Sequence, residues 1–193
     1  MIDEKFVFIG VTLNLFGILS YLIATIKGEV RPNKVTWVLW ALAPLLAFAA
    51  QITQNVGLPA LMTFMVGFGP LLIFIASFIN KKAEWKITKF DLICGALSLL
   101  GLILWGLTRV ANLAILFALL ADGFASLPIV VKSYKAPETE SYYIFLFYGS
   151  SAAITLLTIK QWDFAHISFP IYVLFLNLLL VLLIKFKLGK KIS

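Results

Sequence analysis

Seven uninterrupted apolar runs, roughly 6–26, 34–54, 57–79, 89–107, 110–131, 141–159 and 167–186, fill most of this 193-residue chain. Each is about 20 residues long, the length at which a helix crosses about 30 Å of hydrocarbon. With 62% of its residues hydrophobic and 13% charged, a water-soluble domain of this size could not hide its apolar surface. The chain therefore reads as an integral membrane protein. The runs are continuous rather than alternating, which excludes a β-barrel. The first begins at Asp3-Glu4-Lys5 instead of a basic segment, and no small-residue cleavage site precedes Lys27. It is expected to remain as a helix rather than to leave as a signal peptide.

The second constraint is internal. Shifted by 105 positions, residues 17–50 fall on 122–155. Leu22 then meets Leu127, Lys27 meets Lys132, Pro32 meets Pro137 and Thr36 meets Ser141. Trp37 meets Tyr142, Trp40 meets Phe145, Ala47 meets Ala152, Thr63-Phe64 meet Ser168-Phe169, and Lys82 meets Lys187. Apolar coincidences are cheap in such a chain, but matched lysines and prolines at loop positions are not. A duplication of this kind in a membrane protein marks two structural repeats with a substrate site between them. Each repeat holds three spans, an odd number, so two joined directly would point in opposite directions. The fourth run restores the direction and makes the halves parallel. The expected plan is an all-α integral membrane protein of seven transmembrane helices in a 3+1+3 arrangement. Its parts are residues 1–83, a linker helix within 84–108, and residues 109–193.

Charge sets the orientation. Thirteen of the sixteen basic residues fall on one side: Lys27, Arg31 and Lys34; Lys81, Lys82, Lys86 and Lys89; Lys132 and Lys135; Lys185, Lys187, Lys190 and Lys191. Lys5, Arg109 and Lys160 lie on the other. Positive residues resist translocation, so the N-terminus is expected outside and the C-terminus in the cytoplasm, in a plasma or inner membrane. The net charge of +7 is then a topology signal, and nucleic acid is not an expected partner. Trp37, Trp85, Trp105 and Trp162 fall near span boundaries and read as interfacial anchors.

The three-plus-one-plus-three plan resembles the SWEET sugar transporters and the wider PQ-loop family, whose repeats are parallel. The motif support is Leu127-Pro128-Ile129-Val130-Val131-Lys132-Ser133-Tyr134-Lys135, similar to the PQ-loop signature of a proline, a short apolar turn, a basic residue and a tyrosine. Ile129 stands where that signature has glutamine, and Ile23 stands opposite Pro128 in the first half. The family's proline in the second helix of each repeat is matched by Pro44 but becomes Gly149 in the second half. The resemblance implies transport by alternating access, with hinges at Pro44 and Pro128. Independently of it, each proline removes an intrahelical hydrogen bond and tends to kink its helix. Gly67, Gly69 and Pro70 weaken the third span in the same way, although membrane helices also tolerate such residues without gating.

Among the apolar runs, Asp122 is the costliest residue to insert, at about 2.5–3.5 kcal/mol near a helix centre. On its own helix Arg109 is about 20 Å away and Lys132 about 15 Å, beyond side-chain reach. No Lys, Arg or His occupies the centre of another run, so Asp122 must be protonated, hydrated in a cavity, or bonded to neutral donors. Asn14 and Asn177 lie at the same depth, and SWEET-type pockets place an asparagine in the helix that holds Asn177. Leu72 occupies the corresponding first-half position. Tyr21, Ser126 and Trp40 are the further candidates for the binding site, with packing an equally good account of Trp40. Thr36, Glu138, Glu140 and Ser141 read as ordinary helix-start residues.

One cysteine, Cys94, and one histidine, His166, offer no metal cluster, and no phosphate or dinucleotide loop is present. A retinal protein would need a lysine within the last span, whereas Lys185 lies at its end. An enzyme and a cofactor are not expected. The reading is a small secondary transporter or facilitator of a polar metabolite, sugar-like or similar, with Asp122 carrying the proton if transport is proton-coupled. The expected partners are that small molecule and the lipid bilayer; a homo-oligomer stays open. The alternatives are a receptor or regulatory protein on the same scaffold and a Pnu-type vitamin transporter.

Overall fold

In a computed structural model of the chain, residues 2–80, 85–108 and 110–189 are described; the side chains of Ala50 and Ala111 are not. Lys81, Lys82, Arg109, Lys190 and Lys191, which enter the charge argument, lie outside the described residues. The described chain is helical, without strands: α1 (Val7–Lys27), α2 (Lys34–Thr53), α3 (Ala60–Ala76), α4 (Lys89–Leu107), α5 (Ala111–Lys135), α6 (Tyr142–Thr158) and α7 (Phe164–Phe186). Short 3-10 turns over Glu4–Phe6 and Pro137–Thr139 precede α1 and α6.

Five helices are long and apolar enough to cross a membrane: α1, α2, α4, α5 and α7. The two others, α3 and α6, are apolar but have 17 residues each. At 1.5 Å per residue they reach about 25 Å, short of a full hydrocarbon core. The helix starts have local causes. Thr88 and Asp91 form a reciprocal capping box on α4, and the Asp163 side chain accepts the His166 amide at the start of α7. Asn33, rather than Thr36, caps α2: its Oδ1 accepts the amides of Val35 at 3.1 Å and Thr36 at 3.4 Å. Ser141 holds the cap position of α6, but its side chain makes no capping bond.

The 105-residue shift carries 7–27 onto 112–132, 34–53 onto 139–158 and 60–76 onto 165–181, close to the bounds of α5, α6 and α7. Packing follows the same pattern. Within the first half α3 packs on α1 and α2; within the second, α7 packs on α5 and α6. Between the halves, α1 packs on α6 and α2 on α5, while α4 lies against α5 and α2. Close approach of α1 and α6 depends on small residues. A Cβ on Gly10 would lie 2.7 Å from Ser151 Oγ, and one on Gly17 would lie 3.2 Å from both the Ile144 backbone and the Phe147 side chain.

The large side chains that do not meet a neighbour point outwards: Phe16, Leu99, Ile103 and Phe175 are all exposed. In α4 the buried residues are Asp91, Cys94, Gly95, Ser98 and Gly101, leaving its isoleucines and its leucines other than Leu102 on the outer face. Small residues inward and bulky ones outward is the arrangement of a helix that faces lipid. Inside, one apolar cluster gathers Ile18, Tyr21, Trp37, Trp40, Ile129 and Phe145, and a second gathers Met62, Val66, Ala118, Phe169 and Val173. The candidate site lies between them.

Candidate functional site

Asp122 sits in the middle of α5, on a face where Ala118, Ala121 and Ala125 are buried. Alanines there let the neighbouring helices approach closely enough for the carboxylate to be enclosed; it is 3% exposed. Its Oδ2 accepts a hydrogen bond of 2.7 Å from the Tyr172 hydroxyl of α7. The bonding partner is therefore a neutral donor, one of the three arrangements open to an acid without a cation. Its Oδ1 is buried and has no partner among the described residues.

A cavity opens on this carboxylate, lined by Trp37 and Trp40 of α2, Val66 and Pro70 of α3, Asp122 of α5, Phe145 and Tyr148 of α6, and Tyr172, Val173, Leu176 and Asn177 of α7. Both halves thus contribute. The space open to a water centre is about 20 Å³, room for roughly one water molecule. Asn177 donates through Nδ2 to the Val173 carbonyl at 2.8 Å, which holds the amide against its own helix. The Tyr148 hydroxyl is directed to the Met65 carbonyl at 3.3 Å. The indole nitrogen of Trp40 is buried without a partner among the described residues, whereas the Trp37 indole lies against the Tyr21 hydroxyl.

Asp122, Asn177 and Trp40 are thus brought together, whereas Asn14, Tyr21 and Ser126 do not line the cavity. Asn14 is fully buried on the stripe of α1 that also holds Gly10 and Gly17, and neither of its amide atoms has a partner among the described residues. Because α1 packs against α6 and α3, none of its residues lines this cavity. Ser126 donates to the Gly123 carbonyl at 2.7 Å and lies beside the Tyr172 phenol, behind the wall. Pro44 lies inside α2 and Pro128 inside α5.

Tyr21 belongs to a different assembly at the basic end. Its hydroxyl donates to Glu140 Oε2 at 2.6 Å. The other oxygen, Glu140 Oε1, accepts from Lys132 Nζ, which also donates to the Arg31 carbonyl and stands 4.6 Å from the centre of the Trp85 ring. Both charged side chains are almost completely buried. Nearby, the Arg31 amide donates to the Thr139 carbonyl at 3.1 Å, so the 1–2 and 5–6 loops are joined. Sequence reasoning missed this latch. Lys132 reads as one more cytoplasmic charge, and Glu140, eight residues on, reads as a helix-start residue. Only the turn over Pro137–Thr139 folds Glu140 back onto Lys132. The available signal was two opposite charges flanking a proline turn between two spans.

Trp37 also departs from expectation. It is fully buried rather than an interfacial anchor. Its ring centre lies 4.8 Å from that of Tyr21 and 5.4 Å from that of Trp40, and Trp40 lies 6.4 Å from Phe145. This aromatic column runs from the latch to the cavity. Trp85 lies under the Lys132 ammonium, whereas Trp162 is exposed and fits an anchor. His166 is engaged with the exposed Asp163, and among the described residues no group of three metal-ligating side chains gathers. Compared with family models, curated proteins and solved structures, the chain matches none, so the functional reading rests on its own residues.

Proposed function

We propose that this protein is a small secondary transporter that moves a polar metabolite through the cavity at Asp122. The observation that carries the reading is a cavity between the halves, walled by both, onto which one buried, unpartnered carboxylate oxygen faces. A purely structural carboxyl would be expected to saturate both oxygens, because an unsatisfied buried acceptor costs about 1–3 kcal/mol or more. In a site that alternates between two faces, the second oxygen is kept for the ligand.

The 105-residue correspondence of helix bounds and the matched packing within and between halves support a 3+1+3 plan. In this plan α1–α3 and α5–α7 are parallel bundles and α4 is the linker. That plan, the membrane passage of the shorter α3 and α6, the outward N-terminus and the kinship with SWEET and PQ-loop transporters form part of this proposal. Alternating access then consists of rocking one bundle on the other, with the buried Lys132–Glu140 pair as the closed cytoplasmic gate of the occluded form. The Trp37 and Trp40 walls favour a ligand with a flat or apolar face, which keeps the Pnu-type vitamin carrier as the second reading.

The test is uptake into liposomes holding the purified protein, across a panel of sugars, amino acids, amines and vitamins, with and without a pH gradient. Saturable uptake that Asp122→Asn alters supports the reading. If Asp122 carries a coupling proton, the mutant loses pH-driven accumulation but keeps downhill exchange, because the amide resembles the protonated acid. Absence of flux for every solute, with folded protein, refutes transport.

A further inference from the structure

We infer that the ligand of this cavity, admitted when the bundles part and widen it beyond its one-water space, is an organic cation of the ammonium class, held by Asp122 within an aromatic wall; the inference rests on the transport reading above. The charge inventory comes first. Among the described residues the buried charged side chains are Asp91, Asp122, Lys132 and Glu140. Lys132 and Glu140 neutralise each other, and Asp91 accepts from Asn33 and from Thr88. Asp122 has no cation, and no Lys, Arg or His lines its cavity. An anionic ligand would meet this carboxylate at close range in a low-dielectric enclosure with nothing to offset the repulsion. A cationic ligand would supply the missing countercharge.

The wall narrows the class. Trp37, Trp40, Phe145, Tyr148 and Tyr172 surround the space, and aromatic faces attract cations through their quadrupoles. Such a lining with one acid is the composition of a site for alkylated or primary ammonium groups. It suits a sugar less well. A sugar carries several hydroxyls, each needing a partner once it leaves water. The polar atoms at hand are few: Tyr172 is committed to Asp122, Tyr148 is directed at Met65, and Asn177 is tied to Val173. The buried atoms left for a ligand are Asp122 Oδ1 and the Trp40 indole nitrogen, since the Trp37 indole is engaged with the Tyr21 hydroxyl. An ammonium group needs the first and the ring faces, and a hydroxyl elsewhere on the same ligand can take an indole N–H.

The experiment is calorimetric titration of the full chain in detergent with tetramethylammonium, choline and ethanolamine, and with 3,3-dimethyl-1-butanol, the uncharged carbon isostere of choline. At least one cation is expected to bind, with choline at least tenfold tighter than its isostere. Asp122→Asn should bring that ratio close to one, and Trp40→Leu should weaken choline severalfold while affecting the isostere less. If the aspartate variant does not fold, the ratio in the unaltered protein and the Trp40 variant decide the matter. Equal binding of choline and the isostere, or no binding of any cation, overturns the inference. Liposome flux separates this from the transport reading. Uptake of a neutral solute that none of the cations inhibits overturns the cation assignment and leaves transport standing. Saturable choline binding without flux of any solute upholds the cation assignment and overturns transport.

Discussion

Replacing Glu140 by Gln should destabilise the protein far more than a loop substitution normally would. The side chains of Lys132 and Glu140 are 1% and 0% exposed. The ammonium is engaged by Glu140, the Arg31 carbonyl and the Trp85 ring, and the carboxylate by Lys132 and Tyr21. Removing one charge leaves the other buried without compensation, a loss of about 3–5 kcal/mol. Lys132→Met should cost a similar amount, about 3–5 kcal/mol, for the same reason. Together, however, the two changes leave no orphaned charge, so the double variant should be little worse than either single one. The resulting coupling is about 3 kcal/mol or more. Tyr21→Phe removes one hydrogen bond to a charged acceptor and should cost about 1.5–3 kcal/mol. The assay is equilibrium unfolding in mixed micelles, followed by far-UV circular dichroism. The exposed pair Lys160–Glu4, 2.7 Å apart, serves as control and should show no resolvable coupling. Additive single variants at Lys132 and Glu140 would refute the argument, because they would mean that water reaches the pair.

Three further outcomes are expected. Pro128→Ala restores a helical hydrogen-bond donor in α5; it should slow flux severalfold in the liposome assay while leaving the unfolding midpoint unchanged or higher, and unchanged flux would remove Pro128 as a hinge. A Cβ on Gly69 would collide with the Tyr148 hydroxyl and with Ile18, so Gly69→Ala should cost about 1–3 kcal/mol; Tyr148→Phe, which removes the obstructing oxygen, should recover part of that loss in a thermal-unfolding cycle. Asp163 caps α7, and its hydrogen bond to His166 holds the carboxyl below its ordinary value of 3.8. A depressed folded-state value means that the stabilisation is present above pH 4 and is lost as pH falls through the lower value. Asp163→Asn should therefore flatten the acid limb of the stability profile, and an unaltered limb would contradict the capping role.

Much of the architecture was legible because membrane helices follow a one-dimensional rule. The expected runs 34–54, 89–107 and 141–159 differ by no more than a residue at either end from α2, α4 and α6. Without water to satisfy the backbone, an apolar run of this length has little choice but to be helical. The 105-residue correspondence of helix bounds was visible for a related reason, since helix length and loop position are written directly into residue spacing. Asp122 stands out by residue type alone, because an acid in an apolar run is costly wherever the helix packs.

The partners of these residues were another matter. Helical periodicity places Asn14, Asp122 and Asn177 at one depth but leaves the rotation and neighbours of each helix undetermined. Packing of α1 on α6 and α3 took Asn14 and Tyr21 out of the cavity, and packing of α5 beside α7 gave Asp122 the phenol of Tyr172, fifty residues away. Trp37 looks like an anchor by its distance from the helix end, yet its azimuth turns it inward beside Tyr21 and Trp40. For Glu140 the sequence offers only an opposite charge across a proline turn from Lys132, and nothing that fixes the burial of the pair. Hydrophobicity, length and charge asymmetry are sums over local residues, so the sequence alone determined the helices and their order. Cavity walls and buried ion pairs depend on which faces meet across distant segments, and those contacts were decided by tertiary packing.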